Sequence, residues 1–333
     1  MELTGKLIQL VAEAQQDKIS RTEIYNDESA SGEHEFLFFI KPEITLKESQ
    51  IQLESILEMI FEKLAEFSMN ISKVLLLPAK YLEKHNIIAQ HYGVINAIAG
   101  NANNLNSNAK LKFEELFRVP FNSANVLGGI EFQKEYPELT ATSVDYIWQN
   151  SPTQKLGGGA YAQELKIDGE AVYLVNGFHP RQLEHFIAPG RSIIAMTLRS
   201  NTSWSDARNK MIGKTNPADA APGSIRRTLL EHKEDFGLKA VSPSWNGVHL
   251  SAGPVEGLVE LIRYNSDQDN NKQLTATSFD FGKKLLDNFD DRHIAAFLKN
   301  DEVVYEGKTV SSFDLTEECN ADEAIEKLRK VKI

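Results

Sequence analysis

Five consecutive apolar residues, Phe36-Leu37-Phe38-Phe39-Ile40, halted by Lys41-Pro42, constrain the fold more than any other stretch. A run this short and this apolar, ended by proline, reads as a strand buried on both faces, with a lysine at its exit. A helix is expected next. Between Gln50 and Phe67 the apolar positions Ile51, Leu53, Ile56, Leu57, Ile60, Phe61, Leu64 and Phe67 recur at helical spacing and give one wide stripe. Val74 to Leu77, closed by Pro78, reads as a second strand, and Lys80 to Tyr92 as a second helix. The order is therefore strand, helix, strand, helix.

From Ala97 to Glu170 the pattern loosens. The Asn-rich stretch 101–108 and the glycines 157–159 mark loops there, so the region reads as inserted. Strand-like patterning returns at Ala171 to Val175 and Ser192 to Leu198, around a helical piece at Arg181 to Phe186. The loop Asn216 to Gly223 leads into a helix starting at Ser224, and Gly253-Pro254 opens another, with Pro254 suited to the first helical position. Asn265 to Lys272 reads as a polar linker to an appended region that ends in a helix over 321–330. Mixed strands and helices of this kind predict an α/β sandwich, a small sheet covered by helices.

Composition removes several classes of function. A hydrophobic content of 41% in 333 residues is enough for a large core. The single cysteine, Cys319, has no partner for a disulfide or a thiolate metal site. No run of about 18 apolar residues is present, which predicts a cytoplasmic protein without membrane contact. A net charge of -11 argues against holding a nucleic-acid backbone, although a nucleotide needs only a few cations focused in one pocket.

The segment Asn246-Gly247-Val248-His249-Leu250-Ser251, with Glu260 on the following helix, carries the sharpest chemical signal. A neutral imidazole is a competent nucleophile near neutral pH, and a carboxylate on one ring nitrogen orients the other. Phosphoryl transfer asks little of acid-base chemistry but much of positioning and charge neutralisation. Lys41 offers a compact cation, Arg226 a planar fork, Thr215 a hydroxyl, and Asn246 a donor for phosphate or sugar. The ordinary alternatives are a packed histidine at 249, a solvated Lys41, core aromatics at Tyr92 and Phe178, and an Arg226 paired with Asp219 or Asp235. The remaining histidines have no ligand-like grouping beyond His179 and His185, whose six-residue spacing is not a helical metal pair, so no direct metal site is expected.

Taken together the chain resembles the nucleoside diphosphate kinase family. The resemblance lies in Phe36-Leu37-Phe38-Phe39-Ile40-Lys41-Pro42-Glu43, His91-Tyr92, Gly213-Lys214-Thr215-Asn216-Pro217-Ala218-Asp219, Pro222-Gly223-Ser224-Ile225-Arg226 and Asn246-Gly247-Val248-His249. It implies a ferredoxin-like antiparallel sheet covered by helices and a ping-pong transfer of the γ-phosphate between nucleoside triphosphates and diphosphates. By that resemblance His249 is phosphorylated and supported by Glu260, eleven positions on, and Ser251 is the active-site serine. Lys41, Tyr92, Thr215, Arg226 and Asn246 contact the nucleotide, Phe178 stacks on the base, and magnesium arrives bound to the phosphates.

The resemblance divides the chain into an N-terminal helical extension (1–33), a core (34–96 and 175–264), an insertion (97–174) and a C-terminal extension (265–333). A second, shorter insertion, about Arg227 to Glu234, falls in the loop that helps family members pack as oligomers. Three positions depart from the pattern. Leu250 and Ala252 stand where the family has glycine and aspartate, and Asn209 where it has a second phosphate-binding arginine, with Arg208 adjacent. The alternative reading is a weak or inactive nucleotide-binding module on the same fold.

Overall fold

The apolar run that opens the pattern forms strand β2 (His34–Ile40), and all seven of its residues are buried. The structure, a computed structural model, describes residues 2–48 and 50–332. It is a mixed α/β structure, and the chain divides into two compact units, Met1–His85 with Pro189–Ile333, and Asn86–Ala188.

In the first unit, α1 (Glu2–Ala14) and β1 (Thr22–Asn26) precede β2. Then come α2 (Leu53–Glu66), β3 (Asn70–Pro78), β4 (Ser192–Ser200), α3 (Ile225–Glu231), β5 (Val248–Leu250) and α4 (Pro254–Asn265). The strands make one sheet in the order β1-β3-β4-β2-β5, and every neighbouring pair is antiparallel. Residues 1–33, expected to be helical, thus contain an edge strand as well as a helix, because Thr22–Asn26 pairs along β3.

Strand periodicity decides what each face of this sheet does. Phe36, Phe38 and Ile40 point into a core shared with Leu7 and Val11 of α1 and Ile56, Leu57, Ile60 and Leu64 of α2. Val248 and Leu250 point the same way. Phe39 and His249 are cross-strand partners, so both lie on the opposite face, which α4 covers with Tyr264 stacked on Phe39 at 5.5 Å. Burying each large apolar side chain of such a core stabilises by about 1.5–3 kcal/mol.

After α4, the stretch read as a linker closes on itself, with Asp267 and Lys272 exchanging two backbone hydrogen bonds of 2.9 Å. Helices Asp280–Asn288 and Asp291–Leu298, the hairpin Glu302–Tyr305 with Lys308–Ser311, and helices Ser312–Thr316 and Ala321–Leu328 follow. The last of these is the helix expected over 321–330, two residues shorter.

The second unit has regular structure where the pattern predicted loops. Helices Gly93–Gly100, Ser107–Phe117, Gly129–Glu135 and Ala141–Gln149 accompany a four-stranded sheet. The asparagines read as loop markers act as caps. Asn106 Oδ1 accepts Ala109 N at 2.8 Å at the start of Ser107–Phe117, and Asn101 Oδ1 accepts Asn103 N at 2.9 Å. Strand Glu170–Val175 packs Tyr173 and Val175 against Phe113 on one face, and Val172 and Leu174 against Phe132 and Val144 on the other. The helix expected over Lys80–Tyr92 is two short helices, Ala79–Lys84 and Ile87–His91. Asn86 takes φ +52° between them, a left-handed conformation that ends a helix.

Candidate functional site

β5 is only three residues long, and the turn before it places His249. Gly247 has φ +78°, a conformation that strains any other residue, and a Cβ there would lie 2.4 Å from Leu229 Cδ1 and push that methyl aside. Its N–H donates to the Glu43 carboxylate at 2.9 Å and its carbonyl accepts Lys41 N–H at 2.8 Å. The exit of β2 and the entry of β5 are thereby locked together.

His249 is held on two sides. Its Nε2 lies 3.0 Å from Glu260 Oε2 and 3.0 Å from Oε1, and its ring stacks on Phe39 with centroids 4.5 Å apart and planes 19° apart. Glu260 is buried and also accepts the Ser251 hydroxyl at 2.6 Å. A neutral ring that donates from Nε2 to a carboxylate carries its lone pair on Nδ1, so the carboxylate selects the tautomer. Glu256, one turn before Glu260 on α4, has its carboxyl pushed well above the usual range by burial and by the charge of Glu260.

Lys41 is buried at 8% exposure and donates from Nζ to Asn246 Oδ1 at 2.7 Å. Its pKa is lowered to about 8, chiefly by burial; the Glu43 charge opposes the shift and the nearby Arg226 charge adds to it. Asn246, also buried, donates from Nδ2 to the Thr215 and Pro243 carbonyls at 3.0 and 3.1 Å. Arg226 donates from Nη1 to the Gly213 carbonyl at 2.9 Å and from Nη2 to the Val248 carbonyl at 3.1 Å. It thus ties the 213–226 loop to β5 and makes these bonds to carbonyls, where an acid at 219 or 235 was the alternative expected. Beside it is a cleft of about 330 Å³ lined by Arg208, Asn209, Lys214, Thr215, Asp219, Arg226 and Glu318, among others.

The first unit therefore joins Lys41, Thr215, Arg226, Asn246, His249, Ser251 and Glu260 through β2, β5, α4 and the 213–226 loop. Tyr92 and Phe178 belong to the second unit. There Tyr92 packs edge-on to His179 at 6.4 Å, and Phe178 lies 5.6 Å from Trp148 and 6.3 Å from Tyr161. Four further residues bear on the site that were not expected to: Phe39 beneath the imidazole, Glu43 on Gly247, and Glu317 and Glu318 from the C-terminal region. Only Glu43 had a cue, as the last residue of the Lys41-Pro42-Glu43 string.

No protein-family model matches the sequence, and no curated protein matches it. Among solved structures, the chain is similar to the apo nucleoside diphosphate kinase from Encephalitozoon cuniculi, with a TM-score of 0.34 and 14% identity over 73% of this chain and 93% of that one.

Proposed function

We propose that this chain is a nucleoside diphosphate kinase-like phosphotransferase with His249 as the phosphoryl carrier. The observation that carries the proposal is the His249–Glu260–Ser251 arrangement at β5, with Arg226 bonded to the carbonyl of the residue before the imidazole and Lys41 bonded to Asn246 at the entry of the same strand. The antiparallel order β3-β4-β2-β5, with α2 and α3 in the connections, is the β-α-β-β-α-β pattern of a ferredoxin-like core, and it supports the same reading.

In the first half-reaction, the Nδ1 lone pair of His249 attacks the γ-phosphorus of a nucleoside triphosphate. An N–P bond forms, the bond from phosphorus to the β,γ-bridging oxygen breaks, and the diphosphate leaves with that electron pair. The Nε2 proton stays shared with Glu260, whose charge offsets the positive ring. In the second half-reaction, a terminal oxygen of another diphosphate attacks the phosphorus and the N–P bond breaks. Lys41 and Arg226 neutralise charge on the phosphate oxygens. Magnesium fits the oxygen-rich cleft lining of Thr215, Asp219 and Glu318 and, when bound through the phosphates, would supply further charge neutralisation.

Incubation with γ-labelled ATP should leave an acid-labile, base-stable label on the wild type and none on His249→Ala. Equal labelling of both, or of neither, sinks the reading. A second reading, nucleotide binding without turnover, draws on Ala252 and Asn209. Calorimetry with ADP beside a turnover assay separates the two.

A further inference from the structure

On the α1 and α2 side of the sheet, the first unit carries a groove of about 620 Å³ that the phosphotransferase reading leaves unused. Much of its lining is apolar. Leu64 and Met69 are buried there, and Leu3, Phe61 and Ile71 pack, partly exposed, against the same core. Tyr25 of β1 also lines the groove and is 39% exposed. No lysine or arginine lines it. Two cations on the helices beside it are already held, since Lys6 Nζ donates to Ile24 O at 3.0 Å and Lys63 pairs with Glu66.

Acids gather at the groove instead. Asp27, in the loop after β1, is one of the lining residues, and hydrogen bonds from Ser29 hold its carboxyl below the usual range, so it stays ionised. On α2, Glu54, Glu58, Glu62 and Glu66 recur every fourth residue, and all four are exposed. Glu58 and Glu62 each lie one turn before a lining residue, Phe61 and Ala65 respectively. Like charges at this spacing repel and weaken a helix. Among the described residues Glu54, Glu58 and Glu62 have no cationic partner, so nothing inside the chain offsets that repulsion.

Charge decides what such a groove can take. A second copy in a twofold contact would bring the same acidic ridge against this one, in a chain of net charge -11. Anionic lipid and nucleic acid are repelled for the same reason. A segment with apolar side chains on one face and lysine or arginine on the other satisfies lining and rim together, as when an amphipathic helix lays its apolar face in a groove.

We propose that this groove docks a basic amphipathic segment of a partner protein, with its apolar side chains against Tyr25, Phe61 and Ala65 and its cations against Asp27, Glu58 and Glu62. The proposal is independent of the phosphotransferase reading.

The probe is a synthetic fluorescent helix of leucine and lysine, with the leucines on one face, titrated into the full chain beside a copy that has glutamine for every lysine. The lysine peptide should bind, weaken steeply with added salt, and exceed the glutamine copy by at least about tenfold. Ala65→Trp, at an exposed position lining the groove, should weaken binding about tenfold by filling the space, and Glu58→Lys with Glu62→Lys by at least as much. Glu135→Lys with Glu138→Lys makes the same change of net charge at exposed positions of the second unit and should stay within about threefold of wild type. Melting temperatures check that each variant is folded; should Ala65→Trp fail to fold, Tyr25→Ala takes its place, with a several-fold loss expected. Absence of binding by the lysine peptide overturns the proposal. Equal losses in the two charge-reversed pairs do so as well, since net charge alone would then hold the peptide. A glutamine copy that binds as tightly, or a dimer or a pelleting with phosphatidylserine vesicles that Ala65→Trp abolishes, also overturns it by naming a different occupant.

Discussion

Lys41 shows how a single residue sets the pH range of the site. Its ammonium group is buried, with its pKa brought from 10.5 to about 8. The folded chain holds that proton less tightly than the unfolded chain does, so burial of the charge destabilises the fold below about pH 8. Stability contributed by this group rises between about 8 and 10.5. Binding runs the other way, because the cation is lost as pH rises through about 8. ADP affinity should fall about tenfold between pH 7 and pH 9.5 in the wild type and stay flat in Lys41→Met; an equal slope in both would remove Lys41 from phosphate binding. The residues around it differ in how far the sequence exposes them. Lys41, Asn246, His249, Ser251 and Glu260 stand in short strings whose spacing signals their chemistry. Phe39 is indistinguishable from its neighbours in the apolar run until pairing with β5 sets it against the imidazole.

At the scale of elements, the turn into β5 is the joint on which the site depends. Gly247 combines a left-handed φ of +78° with a Leu229 methyl group where a Cβ would go. Gly247→Ala should therefore destabilise the protein by about 2–4 kcal/mol, from backbone strain together with overpacking. It should also slow His249 labelling beyond the loss of folded protein. Urea denaturation beside single-turnover labelling checks this, and an unchanged midpoint would show that the turn relaxes freely. Elements with strong apolar periodicity were legible. β2, α2 and β4 lie where patterning put them, since burial of one face or of both leaves a spacing in the chain. Lys80–Tyr92 misled because the break at Asn86 lies in a left-handed φ, which a single asparagine barely advertises. The Asn-rich stretch misled because capping and looping use the same side chain, and only its partner, Ala109 N or Asn103 N, tells which.

At the scale of the whole molecule, each unit carries its own core. Phe113 is fully buried in the second unit, edge-on to Phe121 and Tyr173. Phe113→Ala should cost about 3–5 kcal/mol there. Hydrogen exchange should speed up across 86–188 while amides of β2 and β4 keep their protection; uniform acceleration would show that the two cores melt as one. Among the described residues no helix is long and apolar enough to cross a membrane. The sequence by itself determined the elements whose burial is periodic and the short strings whose chemistry is local: the buried strand, the amphipathic helix after it, the histidine and its carboxylate eleven positions on. Only the tertiary structure decided which apolar residue lies under the imidazole, that Arg208 as well as Asn209 faces the cleft, and that carboxylates from 317 and 318 meet the arm at 208–209. Those choices depend on strand register and on contacts between residues about 110 positions apart. Such pairings are fixed by packing, and no local pattern in the chain encodes them.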